Sequence, residues 1–476
     1  MAQSIENMPE KEFKNKYFGT DGFRGEANLS LTSMHAYKIG RFLGWFFLNE
    51  LKENGKEEER PKIAVGKDTR ASSYMLEYAL AAGITASGAD AYMLHVTTTP
   101  SVSYITRQDG FECGIMITAS HNPYYDNGIK VIDRNGQKLD SGTAELVEAY
   151  IDGDMKALGL NEPDLPLAQK DRIGRVIDYV AGRNRYVGYL ISLASHSYKK
   201  LRIGLDCANG ASFTIARAVF GALGASVMSV GTEPNGVNIN DNCGSTHIKR
   251  LCGLVKKNRL DLGFAFDGDA DRCIAVDENG NIIDGDAIIY ILAKRLKSRE
   301  NLAFNTVVTT VMSNSGLNES LEKIGVKNVQ TSVGDRFVYE CMAENGYCLG
   351  GEQSGHIIIK KYATTGDGIL TAIMLTEELC DSKSSLSALA EQIKLYPQIT
   401  VSIKVQSKDA VLNDPKVLEE KARIEKQING KGRILLRKSG TEPVIRVMCE
   451  CGDEEKCLEY VNGIASLIKQ GGHTVD

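Results

Sequence analysis

One order of elements recurs three times along the chain, and such self-similarity decides the architecture before any single residue does. In the first copy KIAVGKDTR (62–70) reads as a strand running into a turn, followed by a helix and a second strand, ADAYML (89–94). CGIMITASHNP (113–123) is a third strand and loop, and GIKVIDRNGQKL (128–139) reads as a hairpin with an Asn-Gly turn. The middle copy runs RIGLDCANG (202–210), a helix, GASVMSV (224–230), DLGFAFDGDAD (261–271) and the hairpin RCIAVDENGNII (272–283). The last runs TVVTTVMSNSG (306–316), a helix, KNVQTSV (327–333), CLGGEQSGH (348–356) and IIIKK (357–361). An amphipathic segment precedes each copy: MHAYKIGRFLGWFF, IDYVAGRNRYVGYL and DAIIYILAKRLKS.

Strands alternating with helices predict parallel sheets covered on both faces, and apolar runs such as LGFAF and VVTTV suit that burial. The stretch 152–170, with two prolines and little periodicity, reads as a linker. After about residue 380 the pattern changes to QITVSIKV, an Ala/Lys/Glu helix, GRILLRKSGTEPVIRVMCEC and a final helix, a small α+β domain. The expected fold class is therefore α/β: three similar α/β domains with mixed, mainly parallel sheets, plus a smaller C-terminal α+β domain, around a central cleft. The boundaries drawn are 1–159, 160–280, 281–379 and 380–476, and a length of 476 residues suits that division.

In open α/β sheets ligands bind outside the carboxyl ends of strands. The third strand of each copy ends there in a different polar loop: TASHNP, DGDADR and GGEQSGH. Three different chemistries at equivalent positions predict three domains facing one cleft. In DGDADR, Asp267, Asp269 and Asp271 alternate, so an extended segment puts their carboxylates on one side. Such a cluster repels itself unless a cation sits among it, and hard oxygen donors favour Mg²⁺ or Ca²⁺. An EF-hand is excluded because Arg272 occupies the place of the required glycine and a strand precedes the loop. Few ligands and a phosphate partner favour Mg²⁺.

TASHNP places Ser120 beside His121 at a strand end, outside any GxSxG elbow, so acyl-transfer hydrolysis is not indicated. A serine there can accept a phosphoryl group whose charge the metal neutralises. Lys130 lies ten residues on, as an acid/base or phosphate contact. GGEQSGH supplies Glu352, Ser354 and His356, groups suited to sugar hydroxyls. In RKSGTEPVIR, Arg437, Ser439, Gly440 and Thr441 offer a guanidinium, hydroxyls and turn amides for a phosphate, and Arg446 adds a second guanidinium. Carried by the last domain, this loop would act as a lid. FGTDGFRG (18–25) is Gly-rich without the GK[ST] of a Walker loop, and its Arg24 is placed for a reacting oxygen or a phosphate.

FGTDGFRG, TASHNP, DGDADR, GEQSGH and RKSGTEP, in this order and spacing, resemble the α-D-phosphohexomutases over residues 16–470. The resemblance implies an active-site phosphoserine at Ser120 and one Mg²⁺ held by that phosphate with Asp267, Asp269 and Asp271. Arg24, Lys130, His121 and His356 become catalytic candidates. Arg272, Glu352, Ser354, His356 and the loop from Arg437 to Arg446 become substrate contacts. It implies a phosphosugar substrate, a sugar bisphosphate as intermediate and activator, and a homodimer. GEQSGH, KYFGTDG, RKSGTEP and ATTGDG resemble the phosphoglucosamine branch, whereas GEMSGH would mark the phosphomannomutase/phosphoglucomutase branch, so Gln353 carries much of that choice. The activity implied is interconversion of glucosamine 6-phosphate and glucosamine 1-phosphate, for UDP-N-acetylglucosamine and cell-wall synthesis. Two positions depart from that pattern: Phe23 stands where Ile is usual and Ala270 where Gly is usual. Alanine is tolerable at 270 only if φ is below zero.

A net charge of -5, from 56 basic and 61 acidic residues, argues against a nucleic-acid or membrane-surface role. The N-terminus has no apolar signal core, and LGWFFL (43–48) is far shorter than a membrane span. Eleven cysteines without a CxxC pair read as free, mostly buried thiols in a reducing compartment, so the expected location is cytoplasmic.

Overall fold

The computed structural model describes residues 16–19, 21–429, 432–438 and 444–474. The chain divides into two compact units, one of residues 1–311 and 329–390, the other of 312–328 and 391–476.

The larger unit contains three mixed sheets. The first has seven strands, in which Lys62–Lys67 is flanked in parallel by Asp90–Val96 and by the central strand Cys113–Ile117. Asp126–Asp133 pairs antiparallel with Cys113–Ile117, and the chain then turns back on it as the hairpin reading expects, with Ile132 bridged antiparallel to Lys138 and the Asp133 amide donating to Gln137 O at 2.7 Å, although the return arm is a single bridge rather than a full strand. Gly22–Glu26 adds to its outer side, with Arg24 opposite Gly128. Within the Gly-rich FGTDGFRG segment, residues 18–19 pair back antiparallel on 22–23. The seventh strand, Val176–Asp178, joins Asp90–Val96 in parallel. It comes from beyond the boundary drawn at residue 159. Asp90 explains the placement, because its carboxylate accepts the Arg175 amide at 2.8 Å and guanidinium Nη2 at 2.6 Å, pinning the chain to the sheet edge.

The second sheet repeats the plan. Arg202–Asp206 and Leu262–Phe266 are parallel, and the hairpin Cys273–Asp277 and Ile282–Ile283 lies on the edge. In the third, Thr306–Thr310 pairs in parallel with Leu349–Gly351, which pairs antiparallel with Ile357–Ile359. In all three domains the strand that ends in a polar loop lies between a parallel neighbour and an antiparallel one, so the three loops leave equivalent points. The apolar runs are buried as the pattern requires: Ile115, Ile117, Phe264, Phe266 and Val308 have 0% exposure.

The smaller unit has a three-stranded antiparallel sheet with Val444–Cys451 between Gln398–Lys404 and Gly432–Lys438. Helices Pro415–Ile428 and Glu454–Gln470 supply its core through Val417, Ile424, Val461 and Ile464. Helix Ser315–Lys323 belongs to this unit although it lies within the third sequence repeat: the Ser315 amide donates to Glu450 at 2.7 Å and Asn314 Nδ2 to the Tyr396 carbonyl at 2.8 Å. The cysteines are free, and Cys449, Cys451 and Cys457 converge within this apolar core.

Candidate active site

Strand Cys113–Ile117 delivers Ser120 three residues past its end, almost fully buried and in the left-handed region at φ 51°. An L-residue resists that conformation, so the loop has to be held. Thr118 Oγ1 accepts the Ser120 amide at 2.9 Å. Arg70, fully buried, donates to the carbonyls of Ser120 (3.0 Å), Asn122 (2.9 Å), Asp126 (3.0 Å) and Pro123. Asp68 anchors its Nε at 2.8 Å. From the second domain, Asn240 Nδ2 donates to Ser120 O at 2.9 Å and Asn122 O at 3.1 Å.

Strand Leu262–Phe266 delivers the acidic loop to the same place. Ser120 Oγ donates to Asp267 Oδ2 at 2.5 Å. Gly268 permits that approach, since a Cβ there would lie 2.5 Å from Ser120 O. Asp267, Asp269 and Asp271 are all buried, with carboxylate oxygens within 4.8 Å of one another. Asp269 Oδ2 accepts from Lys130 Nζ at 2.7 Å and Thr99 Oγ1 at 2.5 Å, and Asp271 Oδ2 lies 3.3 Å from Lys130 Nζ. Among the described residues, Asp269 Oδ1 and Asp271 Oδ1 are buried without a hydrogen-bond partner. An orphaned buried acceptor of this kind costs about 1–3 kcal/mol. Burial and the charges of Asp271 and Asp269 push the Asp267 carboxyl well above its ordinary range. Three converging carboxylates with two free inward oxygens fit a small hard cation such as Mg²⁺.

Ala270 sits at φ 57°, fully buried, so the condition set for an alanine here is not met. The loop is held there regardless, because the Ala270 amide donates to Asp267 O at 3.1 Å and its carbonyl accepts the Gly368 amide at 3.0 Å.

The basic candidates surround these two loops. Arg24 lies opposite Gly128, two residues from Lys130 on one strand face, and the absence of a side chain at 128 leaves room for its stem. Its Nη2 donates to Asp21 Oδ2 at 3.0 Å. Burial opposes the Lys130 charge, but Asp269, Asp271 and Asp21 outweigh it and raise its pKa. His121 Nδ1 lies 3.3 Å from both Ser120 Oγ and Arg272 Nη1. Burial, with Arg272 and Arg24 nearby, pushes its pKa down to about 4, leaving a neutral ring at neutral pH.

His356 Nδ1 faces Asp271 Oδ2 at 3.7 Å and Nε2 faces Asp335 Oδ2 at 3.5 Å. Burial opposes protonation, yet Asp335, Asp271 and Glu352 hold the pKa up, at about 9. The Gly366 amide donates to Nε2 at 3.0 Å, which demands a lone pair there. The carboxylate field and the amide contact disagree about Nε2, and both leave the Nδ1 proton pointing at Asp271.

Glu352 Oε1 accepts the Gly334 amide at 3.1 Å, and Ser354 is exposed, with Oγ 3.5 Å from Glu352 Oε2. Gln353 Nε2 donates to Asp284 Oδ2 at 3.3 Å, and Asp284 caps helix Gly285–Ser298. Gln353 therefore acts on the seating of its loop. In the smaller unit Arg437 and Arg446 are directly opposed across strands Gly432–Lys438 and Val444–Cys451, both exposed. Two guanidiniums on one face form a doubly cationic spot suited to a phosphate. Ser439, Gly440 and Thr441 lie outside the described residues.

Four family models match the chain in series: phosphoglucomutase/phosphomannomutase domain I over 15–157, domain II over 184–280, domain III over 284–396 and the C-terminal domain over 401–467. The chain belongs to this α-D-phosphohexomutase family. Among curated phosphohexomutases, the phosphoglucosamine mutase of Lachnospira eligens is 53% identical, covering 97% of this chain and 100% of its own. That of Bacillus subtilis is 47% identical, covering 95% and 98%. Among solved structures, a phosphoglucomutase/phosphomannomutase family protein from Burkholderia thailandensis superposes with a TM-score of 0.75 at 23% identity, covering 95% of this chain and 97% of its own. Aspergillus fumigatus N-acetylphosphoglucosamine mutase, in complex with GlcNAc-6P and magnesium, gives 0.66 at 18% identity, covering 96% of each chain. These last two likenesses speak for the phosphohexomutase fold.

Arg70, Asn240, Thr99 and Lys138 escaped the sequence reading. Each is a lone polar residue with partners far along the chain, and only the Asn135-Gly136 turn before Lys138 hinted at a held position.

Proposed function

We propose that the protein is a phosphoglucosamine mutase, interconverting glucosamine 6-phosphate and glucosamine 1-phosphate through a phosphorylated Ser120 and a bisphosphorylated sugar. The observation that carries this reading is the 2.5 Å contact of Ser120 Oγ with a buried triad of carboxylates from another domain. A nucleophile placed on a cation site is the arrangement phosphoryl transfer needs. The relatives named above supply the sugar, through identities of 53% and 47% over nearly their whole lengths.

Asp267, Asp269 and Asp271 would hold one Mg²⁺, with the Ser120 phosphate as a further ligand; bound there, it supplies charge neutralisation for the phosphoryl group in transit. The sugar hydroxyl oxygen attacks phosphorus, the bond from phosphorus to Ser120 Oγ breaks, and Oγ takes up the proton that the sugar hydroxyl gives up, restoring the serine hydroxyl. Asp267 Oδ2 is where that hydroxyl proton rests. Lys130 and Arg24 stay cationic and face the oxygens that gain charge. Arg272 orients neutral His121 beside Oγ. Glu352, Ser354 and His356 bind sugar hydroxyls, while Arg437, Arg446 and the loop between them take the non-reacting phosphate. The bisphosphate then turns over and returns its other phosphate to Ser120, so added sugar bisphosphate acts as activator. This reading keeps the four regions drawn from the sequence, with Val176–Asp178 moved to the first and 312–328 to the last. The same reading places a homodimeric enzyme in the cytoplasm, consistent with its free thiols.

A coupled assay with glucosamine 6-phosphate, Mg²⁺ and a trace of sugar bisphosphate tests it. Wild type should turn over, and Ser120→Ala should lose at least about 10³-fold in kcat. Full activity in Ser120→Ala would sink the mechanism, and turnover of mannose or glucose phosphates alone would move the protein to the phosphomannomutase/phosphoglucomutase branch.

A further inference from the structure

Lys138 lies just after the turn that follows strand Asp126–Asp133, and that turn is unusually well held. Asp133 Oδ1 accepts the amides of Asn135 (2.9 Å) and Gln137 (2.8 Å). The Gly136 carbonyl accepts hydroxyls from Ser103 at 2.6 Å and, from the third domain, Thr364 at 2.8 Å. The Leu139 amide donates to Val131 O at 3.0 Å. The Lys138 side chain thus projects from a fixed point.

Its ammonium bridges two carboxylates from distant parts of the chain, Asp21 Oδ1 at 2.7 Å and Asp335 Oδ1 at 2.6 Å. Each carboxylate has its second oxygen on a candidate reactive group. Asp21 Oδ2 holds Arg24 Nη2 at 3.0 Å, and Asp335 Oδ2 faces His356 Nε2 at 3.5 Å. Contacts link one chain of groups: Arg24, Asp21, Lys138, Asp335, His356. Lys138, Asp335 and His356, with Lys130 and Asp271, also line one cavity of about 310 Å³. Removing the central cation leaves two carboxylates facing each other, each free to swing toward its remaining partner.

We propose that Lys138 is a positioning residue for phosphoryl transfer, fixing Arg24 through Asp21 and His356 through Asp335 so that both stand in register with Ser120. The inference rests on the mutase reading of the site. Lys138 touches neither Ser120 nor the carboxylate triad, so it acts through the two residues it aligns.

The test compares Lys138→Met, which keeps the length without the charge, with Lys138→Arg, which restores a cation able to bridge two carboxylates. Wild-type turnover of glucosamine 6-phosphate is the control and is run first: its absence would overturn the choice of sugar alone, and the Lys138 variants are then assayed on whichever phosphohexose the wild type turns over. Lys138→Met should lower kcat by about 10²-fold, the scale of a misplacement near 1 Å, with KM changed less than about three-fold. Lys138→Arg should recover most of that loss. In a cycle with Arg24→Ala, the double variant should lose clearly less than the product of the two single losses, because one of the two groups that Lys138 aligns is already removed. A Lys138→Met enzyme within two-fold of wild type, equal losses in both Lys138 variants, or fully additive losses in the cycle would each overturn the proposal.

Discussion

The loop carrying Ser120 and the loop carrying the acidic triad leave equivalent strand ends, and each forces one non-glycine residue into left-handed backbone, Ser120 at φ 51° and Ala270 at φ 57°. They are held by opposite means. Around Ser120 a buried guanidinium, Arg70, gathers four carbonyls. Around Ala270 the braces are backbone amides, among them that of Gly368 at the start of a helix capped by Asp367. The difference follows from what each loop carries. Strain at Ser120 belongs to the nucleophile and cannot be relieved without losing it. Strain at Ala270 belongs to a methyl group that takes no part in the chemistry.

Removing the guanidinium should therefore do the most damage. Arg70→Met leaves Asp68 buried and without its counter-charge, and breaking such a pair costs about 3–5 kcal/mol. Urea unfolding should show that loss, and kcat should fall as well because the Ser120 carbonyl is released. Unchanged stability would show that Arg70 does not brace the loop.

The acidic loop's support should respond to pH. Burial pushes the Asp367 carboxyl up, to about 6, against roughly 3.9 in an unfolded chain. Between those values the folded form holds more protons than the unfolded one, so this group's contribution to stability is complete below about pH 4 and is lost as pH rises through about 6. Asp367→Asn keeps the helix cap through Oδ1 and turns an amide N–H toward the Tyr186 hydroxyl, which lies 2.7 Å from Asp367 Oδ2 and then accepts instead of donating. The variant should match wild type near pH 4 and exceed it by up to about 3 kcal/mol at neutral pH. Parallel stability curves for the two proteins would contradict the assignment.

The smallest effect is expected at Ala270. Glycine relieves about 1 kcal/mol of left-handed strain but gives up a buried methyl worth about 0.8 kcal/mol, so Ala270→Gly should change stability by less than about 1 kcal/mol. Activity should stay within two-fold and Mg²⁺ dependence should be unchanged. A ten-fold change in the Mg²⁺ requirement would mean that the Ala270 backbone sets the positions of its neighbouring carboxylates.

Much of this frame was legible in the sequence because strands announce themselves locally. The apolar runs around Ile115 and Phe264 marked the strands, and the polar loops after them followed from where such strands end. Arg70 and Lys138 were not legible, since a single basic residue in a turn says nothing about carbonyls 50 residues away or a carboxylate 197 residues away. The left-handed backbone at Ala270 was equally silent, because alanine has no signature of the conformation imposed by the amides around it. Helix Ser315–Lys323 was assigned to the third repeat by order along the chain, whereas its packing puts it with the C-terminal unit.

The Ser120 carbonyl is shared: Arg70 reaches it from its own domain and Asn240 from the next, while Gly268 leaves no space for a side chain beside it. Catalytic alignment is thus a joint property of two domains that recombination would treat as separate modules. A chimera that takes its first domain from a distant relative will align the nucleophile only if the second domain inherits compatible residues at 240 and 268, so these two positions mark where the chain resists being shuffled.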